Sequence, residues 1–106
     1  MTSIRLSVPK TAAQDEVIEI KALIQHPMES GFRRGPRGEV IARNIITHFE
    51  CLYEGETVFE ADFFPAVAAN PFLTFYTRAT QSGVLRFQWT DQNGEIWSDT
   101  ARIKVT

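Results

Sequence analysis

Leu85-Arg86-Phe87-Gln88-Trp89-Thr90-Asp91-Gln92-Asn93-Gly94-Glu95-Ile96-Trp97 is the stretch that decides the fold. Leu85, Phe87 and Trp89 alternate with Arg86, Gln88 and Thr90, the period of a strand with one face buried. Asp91-Gln92-Asn93-Gly94 then reads as a turn, with Gly94 free to take a positive φ. Beyond it Trp97, Ala101, Ile103 and Val105 share one parity, so the chain returns as the second strand of a hairpin. Trp89 is expected in the core. Trp97 is expected to be less buried, because Asp99 shares its parity.

The same signal recurs upstream. Ile45, Thr47, Phe49, Cys51 and Tyr53 read as an inward face opposed by His48 and Glu50. Glu54-Gly55 makes a tight turn into Thr57 to Phe63, where Phe59, Ala61 and Phe63 alternate with Glu60 and Asp62, a second hairpin. Ile4, Leu6 and Val8 alternate in an opening strand closed by Pro9. Ile18, Ile20, Ala22 and Ile24 line another, opposed by Glu19 and Lys21, and Phe72 to Tyr76 adds one more. No segment longer than ten residues has a helical period. The pattern predicts an all-β protein, an immunoglobulin-like β-sandwich of about seven antiparallel strands forming a single domain over 1–106. A small barrel is the alternative. Pro27 to Arg43, rich in Gly and Arg, fits no strand and reads as an exposed loop.

Composition excludes several functions. The 106 residues carry 11 Lys and Arg against 13 Asp and Glu, a formal charge of −2, which gives no support to nucleic-acid binding. No apolar run reaches the roughly 18 residues of a membrane span. The opening residues show no apolar signal segment and no twin arginine, which on its own suggests cytoplasm. A lone Cys51 excludes an internal disulfide framework and a multi-cysteine zinc site.

Catalysis has no visible seat. His26 and His48 are the two imidazoles, and a metal site would need them brought together with carboxylates such as Glu29 or Glu50. Parity turns Cys51 inward beside Phe49 and Tyr53, where a thiol behaves as a small hydrophobe with a raised pKa. Neither a nucleophile elbow nor a phosphate loop is present. No cofactor is implied.

Two charged regions and one apolar connector remain. Arg33-Arg34-Gly35-Pro36-Arg37-Gly38, with Arg43, reads as an anion or partner contact or as a solvated loop. Glu50, Glu54, Glu56, Glu60 and Asp62 crowd one hairpin, either guarding a sheet edge or steering a basic partner. The run Phe63-Phe64-Pro65-Ala66-Val67-Ala68-Ala69-Asn70-Pro71-Phe72 has two prolines and is nearly all apolar. It must either plug the end of the sandwich or meet another protein.

These residues also carry a resemblance. Ile24-Gln25-His26-Pro27-Met28-Glu29-Ser30-Gly31 resembles the His-Pro-Met-Glu-(Thr/Ser)-Gly signature of SoxZ proteins. Gly38-Glu39-Val40-Ile41 resembles their Gly-x-x-Ile element, and Pro65 to Phe72 their Pro-Ala-Val-(x)₂-Asn-Pro-Phe segment. Trp89-Thr90-Asp91-x-x-Gly94 is similar to their closing turn. Ala42 stands where the family often has Pro, and Asn44-Ile45 where it often has His-Phe, which implies small loop shifts and no change of role.

The resemblance implies a non-catalytic subunit of the SoxYZ sulfur carrier complex, without metal or cofactor. Its partner would be a SoxY-like subunit whose C-terminal Gly-Gly-Cys-Gly-Gly arm carries the sulfur intermediates of thiosulfate oxidation. Other Sox enzymes would dock on the complex, and the isolated chain could form a homodimer. It also moves the expected address to the periplasm, reached by co-export with a signal-bearing partner. The candidate partner-interface residues are His26, Pro27, Met28, Glu29, Pro65, Ala66, Val67, Ala68, Asn70, Pro71 and Phe72. Two other functions are alternatives: a generic immunoglobulin-like adhesion or chaperone module, which the strand pattern alone does not exclude, and a stand-alone thiol enzyme or sulfurtransferase using Cys51.

Overall fold

The computed structural model describes residues 3–32, 34–64, 67 and 69–106. Eight strands are formed: β1 (Ile4–Ser7), β2 (Thr11–Ala12), β3 (Val17–Ile24), β4 (Ile46–Tyr53), β5 (Glu56–Asp62), β6 (Phe72–Arg78), β7 (Gly83–Asp91) and β8 (Ile96–Val105). They make two sheets, ordered β1-β3-β6 and β2-β8-β7-β4-β5. The fold is all-β and the two sheets form the expected sandwich. Seven of the eight strands are those the alternation marks. The exception is β2, two residues long and parallel to β8, joined by backbone bonds such as Lys104 N–H to the Lys10 carbonyl (2.9 Å).

The hairpins close as their turn residues dictate. Glu54 and Gly55 both take positive φ (48° and 85°), the two-residue geometry whose twist matches the flanking strands. In the β7–β8 turn, the Asp91 carboxylate accepts from the Asn93 and Glu95 N–H groups (2.9 and 2.8 Å), and Gly94 supplies φ 82°.

The inward faces of both sheets meet around Phe49. Its ring lies 4.9 Å from Trp89, 6.0 Å from Phe75 and 6.1 Å from Phe59, so one side chain from β4 joins β7, β6 and β5. Phe59 and Phe75 stack at 4.4 Å across the sandwich. Trp89 is fully buried, whereas Trp97 is half-buried and Asp99 exposed, as their parity predicts.

The β3–β4, β5–β6 and β7–β8 connections all lie at one end, called here the connector end. The molecule measures 58 × 21 × 20 Å. Strands of seven to ten residues span only about 23–33 Å, so much of the long axis lies beyond the sheets. The Pro27–Arg43 segment doubles back as an irregular two-stranded arm, bridged at Glu29–Asn44 and Arg34–Val40. Its tip is closed by the Gly35 N–H to Glu39 carbonyl bond (2.8 Å).

Candidate partner-binding site

The connector end is built from three loops tied to one another. After Ile24 the chain leaves β3, and Pro27, lacking an N–H, prevents the ladder from continuing. Met28 then takes a positive φ of 51°, and its N–H donates to His26 Nδ1 at 3.0 Å. That bond needs a neutral imidazole with its proton on Nε2. Burial lowers the His26 pKa from its usual 6.5, opposed by the nearby Asp91 carboxylate. His26 is therefore buried and neutral, packed edge-on against Trp97 with ring centres 5.9 Å apart.

The second loop is held by Asn70. Its side-chain oxygen accepts from the His26 N–H (2.9 Å), while its own N–H donates to the His26 carbonyl (2.7 Å). This reciprocal pair joins the two segments 44 residues apart in sequence. Asn70 also holds φ at 53°, which asparagine tolerates better than most residues. Pro71 is buried beside it, and its carbonyl accepts from the Ile24 N–H (3.4 Å).

The third loop is fixed by Gln92. Its Oε1 accepts from the Ile45 N–H (3.3 Å) and Arg43 Nε (3.1 Å), and its Nε2 donates to the Arg43 carbonyl (2.9 Å). Met28 adds a bond from the Ile46 N–H to its sulfur at 3.2 Å. The base of the arm is thereby anchored to the β7–β8 turn and to the start of β4.

Apolar side chains ring this platform. Among the described residues, seven large hydrophobic side chains are exposed: Val17, Phe32, Val40, Phe64, Phe72, Tyr76 and Ile96. Five of them, Phe32, Val40, Phe64, Phe72 and Ile96, lie at the connector end or on its arm, and Phe32 is 87% exposed.

The residues singled out from sequence divide accordingly. His26, Met28 and Pro71 are buried and shape the loops; Pro27, Asn70 and Phe72 are exposed; Glu29 and Val67 are half-buried. Pro65, Ala66 and Ala68 lie outside the described residues. Phe32, Val40, Phe64 and Ile96 were missing from that set. Parity could have found the last two, since Phe63 and Trp97 point inward and their neighbours must point outward.

The chemical candidates stay apart. His48 sits on the outer face of β4, with Nδ1 2.8 Å from Asp62 and Nε2 3.4 Å from Glu60, whereas His26 lies in the loop after β3. Among the described residues no three His, Cys, Asp or Glu side chains gather to hold a metal ion. Cys51 is fully buried, and burial, with Glu50 adding to it, pushes its thiol up to about 12.

The model of the sulphur oxidation protein SoxZ family matches residues 4–102. The chain belongs to the SoxZ family. No curated protein matches the sequence. Among solved structures, this SoxZ-family chain resembles a superoxide reductase (neelaredoxin) from Ignicoccus hospitalis, at 20% identity over 98% of this chain and 80% of that one, TM-score 0.72. It also resembles the sulfur carrier protein SoxY from Chlorobium limicola f thiosulfatophilum, at 15% identity over 97% and 78%, TM-score 0.68. A putative superoxide reductase from Thermotoga maritima aligns at 15% identity over 97% and 85%, TM-score 0.74. At these identities the likeness is one of fold.

Proposed function

We propose that this SoxZ-family chain is the non-catalytic subunit of a sulfur carrier complex, and that it holds a SoxY-like subunit at the connector end. The concentration of exposed apolar side chains there carries the reading. Phe32, Val40, Phe64, Phe72 and Ile96 lie at the connector end or on its arm, where the loops are joined by the Asn70 and Gln92 bonds. A partner docking there removes apolar surface from water at roughly 25 cal/mol per Å², before association costs are subtracted. The sulfur intermediates of thiosulfate oxidation would be carried on the partner's C-terminal cysteine arm. Cys51, with its raised pKa and full burial, supplies no accessible thiolate. The complex would work in the periplasm, exported on the partner's signal, and present the loaded arm to other Sox enzymes.

Charge substitutions at exposed positions test the surface. Phe64→Asp and Ile96→Asp should leave the melting temperature nearly unchanged and weaken binding of the SoxY-like subunit at least about tenfold each. Wild-type affinity in both variants would place the interface elsewhere.

A further inference from the structure

An open sheet edge presents N–H and C=O groups that water or another strand must satisfy. The two sheets end in four edge strands, β1, β2, β5 and β6. Three of these are guarded. β1 has four residues and runs into Pro9, and β2 has two. β5 carries Glu56, Glu60 and Asp62 and is bulged at Val58, since Leu52 pairs with Thr57 and Cys51 with Phe59. The Phe63 N–H to Thr47 carbonyl bond sets its phase, which turns the amides of Glu60 and Asp62 to the open side, each beside its own carboxylate.

β6 is the least guarded: Pro71 precedes it and Arg78 ends it, but the six residues between them carry no such device. Phe72-Leu73-Thr74-Phe75-Tyr76-Thr77 contains no charge and no proline, and β6 pairs with β3 through seven consecutive partners without a bulge. The Ile24 N–H to Pro71 carbonyl bond again fixes the phase. Leu73, Phe75 and Thr77 bond to β3, so Phe72, Thr74 and Tyr76 present their N–H and C=O groups to the open side. The side chains of Phe72 and Tyr76 are themselves more than half exposed. An unbulged edge with six consecutive uncharged residues is a template for strand addition.

We infer that β6 pairs with an edge strand of the SoxY-like subunit, continuing the β1-β3-β6 sheet across the subunit boundary. This rests on the reading that the chain holds such a subunit. Area favours it. At about 150–250 Å² for a whole aromatic side chain and their exposed fractions, Phe32, Phe64, Phe72, Val40 and Ile96 together offer roughly 500–700 Å², short of the roughly 800 Å² per partner of a stable interface. Phe72 belongs both to that apolar ring and to the first position of β6, so the edge continues the surface directly. The SoxY of known structure shares this sandwich fold, and a sandwich of two open sheets brings edge strands of its own.

Amide hydrogen exchange on the full chain, alone and bound to the SoxY-like subunit, tests the inference. The Thr74 and Tyr76 amides should exchange quickly in the free chain and slow by about 100-fold or more in the complex, with Glu60 and Asp62 unchanged. Thr74→Pro removes an N–H that faces away from β3, at a position where an edge strand tolerates proline. It should fold and bind at least about 100-fold more weakly. Thr74→Lys, which charges the edge without touching the backbone, should weaken binding in the same direction. If the wild-type chain does not bind the SoxY-like subunit, the functional reading fails. If it binds, but Thr74 and Tyr76 stay unprotected and Thr74→Lys binds normally, the edge inference is overturned and the functional reading stands. Protection already present in a homodimer that the partner does not displace would give the edge to a second copy, and would also overturn it.

Discussion

Replacing Asn70 probes the joint on which the connector end depends. Asn70→Ala removes the acceptor of the partly buried His26 N–H, a bond of 2.9 Å, at a cost of about 1 kcal/mol. It also forces alanine to hold a φ of 53°, which costs an ordinary L-residue roughly 1–2 kcal/mol. The two together predict a loss of about 2–3 kcal/mol, a large part of the roughly 5–15 kcal/mol of a small protein. At about 4–8 °C per kcal/mol, the melting temperature should fall by roughly 10–20 °C. Asn70→Gly separates the contributions, because glycine takes positive φ freely and loses only the bond. It should cost about 1 kcal/mol. Asn70→Asp keeps the acceptor and should cost least. Urea titration of the three variants measures all of this. If alanine and glycine were both as stable as asparagine, the reciprocal pair would not be what holds the connector; glycine as damaging as alanine would refute the contribution of the positive φ.

Three further outcomes follow from other parts of the molecule. Cys51, with its thiol pushed up to about 12 by burial, should resist iodoacetamide in the native chain and react once the chain is unfolded; ready alkylation of the native protein would contradict its placement. His26 is held neutral below its usual pKa of 6.5, so as pH falls below 6.5 the unfolded chain takes up a proton that the folded ring refuses. Its stabilising contribution is complete above 6.5 and declines towards the lowered folded pKa, so wild type should lose more stability between pH 7.5 and 5 than His26→Gln; equal pH dependence would refute this. Trp89→Ala should cost about 3–5 kcal/mol and Trp97→Ala less, with equal losses contradicting the difference in their burial.

Much of the sandwich was legible because it is written in side-chain alternation. Leu85, Phe87 and Trp89 face the core, and Ile18, Ile20, Ala22 and Ile24 do the same on the other sheet. Where structure rests on the backbone alone, the sequence is silent. β2 is made by main-chain bonds to β8, and the arm by two isolated bridges. Alternation also fails where β4 begins: Ile45 and Ile46 are both buried, because the register shifts between Ile46 and His48 as the chain enters the sheet from the arm. His26, named from sequence as a partner-interface candidate, has a buried ring whose Nδ1 is satisfied by the Met28 N–H. The apolar connector divides between the two readings offered for it: Phe63 and Pro71 turn inward, Phe64 and Phe72 outward. Which side chains remain exposed depends on the cross-bonded loops, and no local pattern records those.

The central claim is that this chain supports sulfur transfer by holding its partner and carries no sulfur itself. Intact-mass spectrometry of the reconstituted complex during thiosulfate oxidation tests it most directly, with each subunit resolved and the reaction repeated in the absence of this chain. Sulfur adducts should accumulate on the SoxY-like subunit alone, this chain should keep its unmodified mass, and turnover should collapse when it is withheld. A sulfur adduct on Cys51, or undiminished turnover without the chain, would contradict the account.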